Sequence, residues 1–401
     1  MRKSLLLLFA SLLSAVVAAQ DSLRIRLDSL LADRMFETSQ VALMVYDLTA
    51  DSVLYAHNHR QLMRPASTMK LLTAITALDR LGSDYLLSTR LHYTGEIVDG
   101  RLTGNLYCVG GFDPMVSNGD VNAMAGNLNS LGVTVVQGDI VTDCTMKDES
   151  EEYGEGWCWD DDNPKLTPLS VDCRDIFVER MRRELTSCGV LLDHVGTASG
   201  RCPADAHLVS QCHHAIGEVL ERMMKMSDNF YAEALFYQIA ASTGRTPARA
   251  RDAANVVKDL IERIGLNASD YRIADGSGLS LYNYVSAELE TRLLRYAWRD
   301  STIYGMLAPS LPVAGVDGTL AKRMTGAATA GNVRAKTGTV TGITSLAGYC
   351  TAANGHQLAF TIINQGVMRA QNGRDFQDRV CQVLCEPWSH ELYDDDTTVV
   401  P

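Results

Sequence analysis

Pro65-Ala66-Ser67-Thr68-Met69-Lys70-Leu71-Leu72 marks the point at which the chain changes its period. Upstream, Val41 to Asp47 and Ser52 to Ala56 are rich in strand-forming residues and flank the turn Thr49-Ala50-Asp51, which predicts a hairpin. Downstream of Pro65, Met69, Leu72, Ile75 and Leu78 recur at the spacing of a helix that Gly82 closes. Ser67 and Lys70 therefore fall three apart at a helix start, with side chains on one face. A helix N-terminus favours negative charge developing on a serine oxygen, and a lysine in a partly dry cleft can lose its proton near neutral pH. Lys70 is placed to activate Ser67 as a nucleophile. Taken alone, the pair reads more readily as a polar helix start with a surface lysine.

Two further strings follow in order. Ser227-Asp228-Asn229 lies between helical stretches at Ile216 to Met226 and Phe230 to Ala241. There the Ser227 hydroxyl can relay a proton to a leaving amine and the Asn229 amide can hold a substrate carbonyl. The same three residues are also good helix caps. Lys336-Thr337-Gly338-Thr339 falls on a predicted edge strand, the first of three, followed by Thr344 to Cys350 and Gln357 to Asn364, with Asn354-Gly355 as the last turn. Gly338 leaves room for a substrate along the strand, and Lys336 and Thr337 can bind a carboxylate. The backbone N–H of Thr339 can join that of Ser67 as an oxyanion hole. Read together, the three strings describe an acyl-transfer site built on a serine.

The rest of the chain sets the context. Residues 1–19 have a basic start at Arg2-Lys3, an apolar run and small residues at Ala18-Ala19, the pattern of a cleaved secretory signal, so no transmembrane anchor is expected after cleavage. The formal net charge of −12 argues against nucleic acid and against an anionic membrane surface. Ten cysteines in an exported chain permit disulfides without requiring them. No C-x-x-C pair occurs and Cys212-His213-His214 is not spaced as a zinc site, so neither metal nor cofactor is expected. From about Leu91 the composition shifts to short strands and turns, including an Asp99-Gly100 hairpin signal, and helical patterning resumes near Phe177. This predicts a discontinuous main domain over 20–90 and 176–388, a β-rich insertion over 91–175, a helix from about Gly373 to Leu384, and an acidic tail over 389–401.

The three strings are similar to the S-x-x-K, S-D-N and K-T-G signature of penicillin-binding proteins and class A β-lactamases. Met226 to Glu233, Asp275 to Ser280, Leu311 to Leu320, Gly138-Asp139-Ile140 and Gly156 to Asp161 further resemble the D-alanyl-D-alanine carboxypeptidase/endopeptidase family of class C penicillin-binding proteins. That resemblance implies an α+β, transpeptidase-like fold, with an antiparallel sheet packed between helices, carrying an inserted domain. It implies a periplasmic serine DD-peptidase that cuts the D-Ala-D-Ala terminus or the D-amino-acid cross-link of peptidoglycan stem peptides through an acyl-Ser67 intermediate, with β-lactams as covalent inhibitors. By the same resemblance Asp161 would meet the amino group of a diamino acid. The family usually carries two inserted domains between its first two motifs, whereas the 160 positions from Ser67 to Ser227 leave room for one. A class A β-lactamase is the alternative enzyme, yet the nearest imitation of its glutamate loop, Glu262 to Asn267, has one residue too many and ends a predicted helix. A non-catalytic sensor or cell-wall-binding protein of the same fold is the other alternative.

Overall fold

The computed structural model describes residues 21–160 and 163–388. The expected signal, the acidic tail and Asp161 lie outside these residues. The chain divides into two compact units. Among the described residues, one comprises those up to Thr68 with Val285–Trp298 and those from Leu311 onward; the other comprises those of Met69–Tyr284 and Arg299–Ser310.

The first unit is built on a five-stranded antiparallel sheet in the order Arg334–Val340, Ile343–Thr351, Gln357–Gln365, Gln40–Asp47, Ser52–His57. Its central strands are buried along nearly their whole length, because helices cover both faces. Alternation assigns the faces. Val41, Leu43, Val45, Leu358, Phe360 and Ile362 share one core with Leu23 and Leu27 of the helix over 21–31 and with Phe376, Val380 and Leu384 of the Ala370–Cys385 helix. The intervening residues point the other way, where the Thr291 hydroxyl donates to Thr361 Oγ1 at 3.0 Å and Tyr349 donates to the Leu294 carbonyl at 2.8 Å. The strand carrying Lys336 is the sheet's edge, as its sequence predicted.

The second unit centres on the Asn229–Ala241 helix, whose residues from Phe230 to Ala240 are all buried. A helix apolar all round is one surrounded by protein. Met69–Leu81 and Ala250–Arg263 pack against it, and Ile216–Lys225 packs on it and on Ser301–Ser310. A mixed sheet in the order Thr197–Ser199, Ile140–Asp143, Leu106–Val109, Leu86–Tyr93, His207–Ala215 and a smaller four-stranded sheet complete the unit with the helices Asn118–Ser130 and Phe177–Ser187. The expected hairpin at Asp99-Gly100 is present, with both residues at positive φ between Glu96–Val98 and Arg101–Thr103. Strand pairing here runs from Leu86 to Ala215, wider than the 91–175 that composition suggested, since the His207–Ala215 strand returns to pair antiparallel with Leu86–Tyr93.

Candidate active site

The boundary between the two units falls between Thr68 and Met69, inside the first motif. The 3₁₀ turn Ala66–Thr68 belongs to one unit and the Met69–Leu81 helix to the other.

In the sheet unit, Ser67 is half-buried on that turn and follows Ala66, whose φ of 50° lies in the left-handed region. Non-glycine residues take that conformation only where their surroundings hold it. The surroundings are a buried hydrogen-bond cluster. Thr68 Oγ1 lies 2.8 Å from the Pro65 carbonyl and 2.7 Å from Glu290 Oε1, and the Ser345 hydroxyl donates to the same Pro65 carbonyl at 2.5 Å. Burial pushes the Glu290 carboxyl up to about 8, against the opposing hydrogen bond with Thr68. The single Thr68 hydroxyl hydrogen thus has two acceptors within reach, the Pro65 carbonyl and Glu290 Oε1. On the edge strand, Lys336 is fully buried and donates to the Thr337 carbonyl at 2.8 Å, while the Thr337 hydroxyl bonds Thr319 Oγ1 at 2.8 Å. Gly338 has a steric reason to be glycine: a Cβ there would stand 2.1 Å from Ser345 Oγ and 2.9 Å from both Pro65 O and Ser67 N. Backbone Ser67 and the Lys336–Thr339 strand are thereby close neighbours, and Thr339 is exposed.

In the helical unit, Lys70 is fully buried, and its amine donates to Asn229 Oδ1 and to the Ser277 carbonyl, each at 2.7 Å. Burial lowers its pKa to about 8, opposed by the carboxylates of Asp275, Glu233 and Asp228. Those carboxylates have structural duties. Asp228 caps the Asn229–Ala241 helix by accepting from Phe230 N and Tyr231 N, and it also receives Arg222 Nε at 3.2 Å. The capping reading of this motif therefore holds for Asp228, and Ser227 and Asn229 stand on either side of the cap. Ser227 is half-buried with a φ of 59°. Glu233 accepts from Gly276 N and Ser277 N, and burial followed by repulsion from Asp275 raises its pKa to about 8. Asp275 accepts from Gly278 N, Ser280 N, the Asn283 amide and Trp157 Nε1 at 2.6–2.8 Å. The loop that offers its carbonyl to Lys70 is thus clamped by two carboxylates, and Trp157 is tied to one of them. Sequence reading gave Glu233, Asp275 and Glu290 no role. The available signal was an acid inside an otherwise apolar helix, as in Phe230-Tyr231-Ala232-Glu233-Ala234-Leu235. Glu262, the near-imitation of a β-lactamase glutamate, accepts from Ala268 N at 2.8 Å beside the end of its helix.

The sequence profile of the D-Ala-D-Ala carboxypeptidase 3 (S13) family matches residues 23–170 and 165–386, and the chain belongs to that family. It is similar to the D-alanyl-D-alanine carboxypeptidase of Actinomadura sp. strain R39, 29% identical over an alignment 459 positions long that covers 89% of this chain and 83% of the relative. It is also similar to the D-alanyl-D-alanine carboxypeptidase DacB of Haemophilus influenzae, 25% identical over 82% of this chain and 86% of the relative. Among solved structures, penicillin binding protein 4 of Haemophilus influenzae superposes with a TM-score of 0.79 at 22% identity, over 86% of this chain and 97% of its own. A predatory peptidoglycan endopeptidase from Bdellovibrio bacteriovorus superposes with a TM-score of 0.57 at 16% identity, over 86% and 92%. The expected α+β, transpeptidase-like fold is the one observed.

Glu290 yields a stability test. Its folded pKa stands above the ordinary carboxyl value, so its stabilising contribution is complete at pH values below about 4.5 and is lost as the pH rises through about 8. Glu290→Gln keeps the shape and removes the titration. Thermal melts should show the wild type losing roughly 4 kcal/mol relative to the variant between pH 5 and 8.5. Parallel curves would mean that Glu290 is ionised in the fold.

Proposed function

We propose that Ser67 is the nucleophile of a DD-peptidase acting on peptidoglycan stem peptides, with Lys70 as its base. The supporting observation is the complete burial of the Lys70 amine, which lowers its pKa to about 8 and brings the neutral form within reach near neutral pH. Asn229 Oδ1 and the Ser277 carbonyl accept from that amine at 2.7 Å each and fix its position, so that on deprotonation it can take up a proton from a hydroxyl. In this reading Ser67 Oγ attacks the carbonyl of the penultimate D-Ala and its proton passes to Lys70 Nζ. The terminal D-Ala departs as an amine, taking its proton by way of Ser227. Water then cleaves the Ser67 ester and restores both groups. The N–H groups of Ser67 and Thr339 receive the oxyanion, a role favoured by the close approach that Gly338 permits. Asn229 holds a substrate amide, and Lys336 and Thr337 take the terminal carboxylate.

Action at a cross-link differs only in the leaving amine, so the same residues serve a carboxypeptidase and an endopeptidase. Related proteins bear both names. Penicillin as a covalent inhibitor, export to the periplasm and Asp161 as a reader of a diamino acid complete the proposal. Among the described residues no helix is long and apolar enough to cross a membrane. Trp157, four positions before Asp161, is fixed to Asp275, which gives the preceding segment a definite anchor beside the loop that holds Lys70.

Ser67→Ala should abolish covalent labelling by penicillin while leaving the melting temperature within about 2 °C, since one hydroxyl is lost from a half-buried turn. Mass mapping of the adduct to another residue would overturn the mechanism. Digestion of purified peptidoglycan then shows which bond is cut. For Asp161, the expected outcome of Asp161→Ala is a kcat/KM at least tenfold lower on a peptide with a free side-chain amine and an unchanged rate of penicillin acylation. Equal losses in both reactions would make the residue structural.

A further inference from the structure

The helical unit contains a cavity of about 1030 Å³ that takes no part in the site described above. One of its walls is a face of the mixed sheet. On the Leu86–Tyr93 strand, Leu87 and Leu91 point into the apolar core, so Ser88, Arg90 and His92 stand on the opposite face and line the cavity. Gln211 pairs directly with Arg90 across the neighbouring strand and lines it too. Arg201 enters from the loop after Thr197–Ser199, and Arg245 from the loop after the central helix.

Three arginines and a histidine thus meet in one cavity of a protein whose net charge is −12. Arg245 is already paired with the buried Asp252. The side chains of Arg90 and Arg201 have no hydrogen bond or ion pair to any other described residue. The one acid on the wall, Asp143, is occupied by Thr145 and by Cys202 N at 2.7 Å. His92 presents a buried Nδ1 without a hydrogen-bond partner among the described residues. Guanidinium forks without an acidic partner on a cavity wall suit a planar anion. A cavity of this volume exceeds what a simple ion needs.

We propose that this cavity is a second binding site, for a peptide with a free carboxylate. Arg90 and Arg201 take the carboxylate, and Gln211 takes an amide group of the ligand. The proposal rests on the DD-peptidase reading, because the polymer such an enzyme meets carries many stem peptides and one could be held here while another is cut. Holding it would raise the local concentration of reactive strands.

The test uses the full protein after acylation with penicillin, so that the serine site is closed. An N-acyl-D-Ala-D-Ala peptide with a free C-terminus should still bind by calorimetry, and its C-terminal amide and inorganic phosphate should bind at least tenfold more weakly. Arg90→Ala/Arg201→Ala should weaken that binding at least tenfold while leaving the penicillin acylation rate unchanged. The same variant should release D-Ala more slowly from intact peptidoglycan than the wild type, and equally fast from a short soluble peptide. Absent binding, binding indifferent to the two arginines, or equal affinity for phosphate would overturn the proposal. Failure of penicillin to acylate would instead overturn the DD-peptidase reading; the cavity would then be judged on unmodified protein by the arginine-dependent part of the binding.

Discussion

The site depends on a single costly act, the complete burial of the Lys70 amine. An ammonium removed from water must be paired or must lose its proton. Here burial and the nearby carboxylates act in opposite directions and leave its pKa at about 8 rather than at the ordinary 10.5. Several neighbouring features follow from that balance. Asn229 and Ser277 supply two acceptors in fixed positions, so a neutral amine has its hydrogens satisfied. Glu233 is itself raised to about 8 by burial, which tempers the negative field that would otherwise hold the proton on Lys70.

A second constraint operates in the sheet unit, and it is steric. The turn bearing Ser67 lies so close to the edge strand that position 338 admits no side chain. Its left-handed Ala66 is held by Thr68, Glu290 and Ser345 around one carbonyl. In the proposed mechanism, pre-organisation of this kind sets the Ser67 hydroxyl and two backbone N–H groups in place before substrate arrives, so that little reorganisation is needed during reaction. Both units use buried carboxyls of raised pKa to support local backbone, Glu290 in one and Glu233 in the other.

Much of the scaffold was legible because its signals are local. The switch of period at Pro65 predicted the Met69–Leu81 helix, and the Asn354-Gly355 turn predicted the last two strands within a residue or two. The His207–Ala215 strand was not legible. Its run His207-Leu208-Val209-Ser210-Gln211 is mostly polar or half-exposed, and its partner lies more than a hundred positions earlier. The motif residues could be picked out by type and order, but the carboxyls that tune them could not. Burial is what shifts Glu233 and Glu290, and a sequence carries burial only through long-range packing. The function of Asp228 as a cap was visible in its residue type, whereas its influence on Lys70 required the fold.

The central claim is that Lys70 is poised to be neutral when the enzyme works. The most direct measurement is a nitrogen-detected NMR titration of the Lys70 Nζ resonance, assigned by its loss in Lys70→Arg, alongside the pH dependence of penicillin acylation. The account predicts a midpoint near 8 for the resonance and an acylation rate that rises with pH through the same midpoint. A Lys70 amine that stays protonated up to about pH 10 while acylation proceeds unimpeded at neutral pH would contradict it.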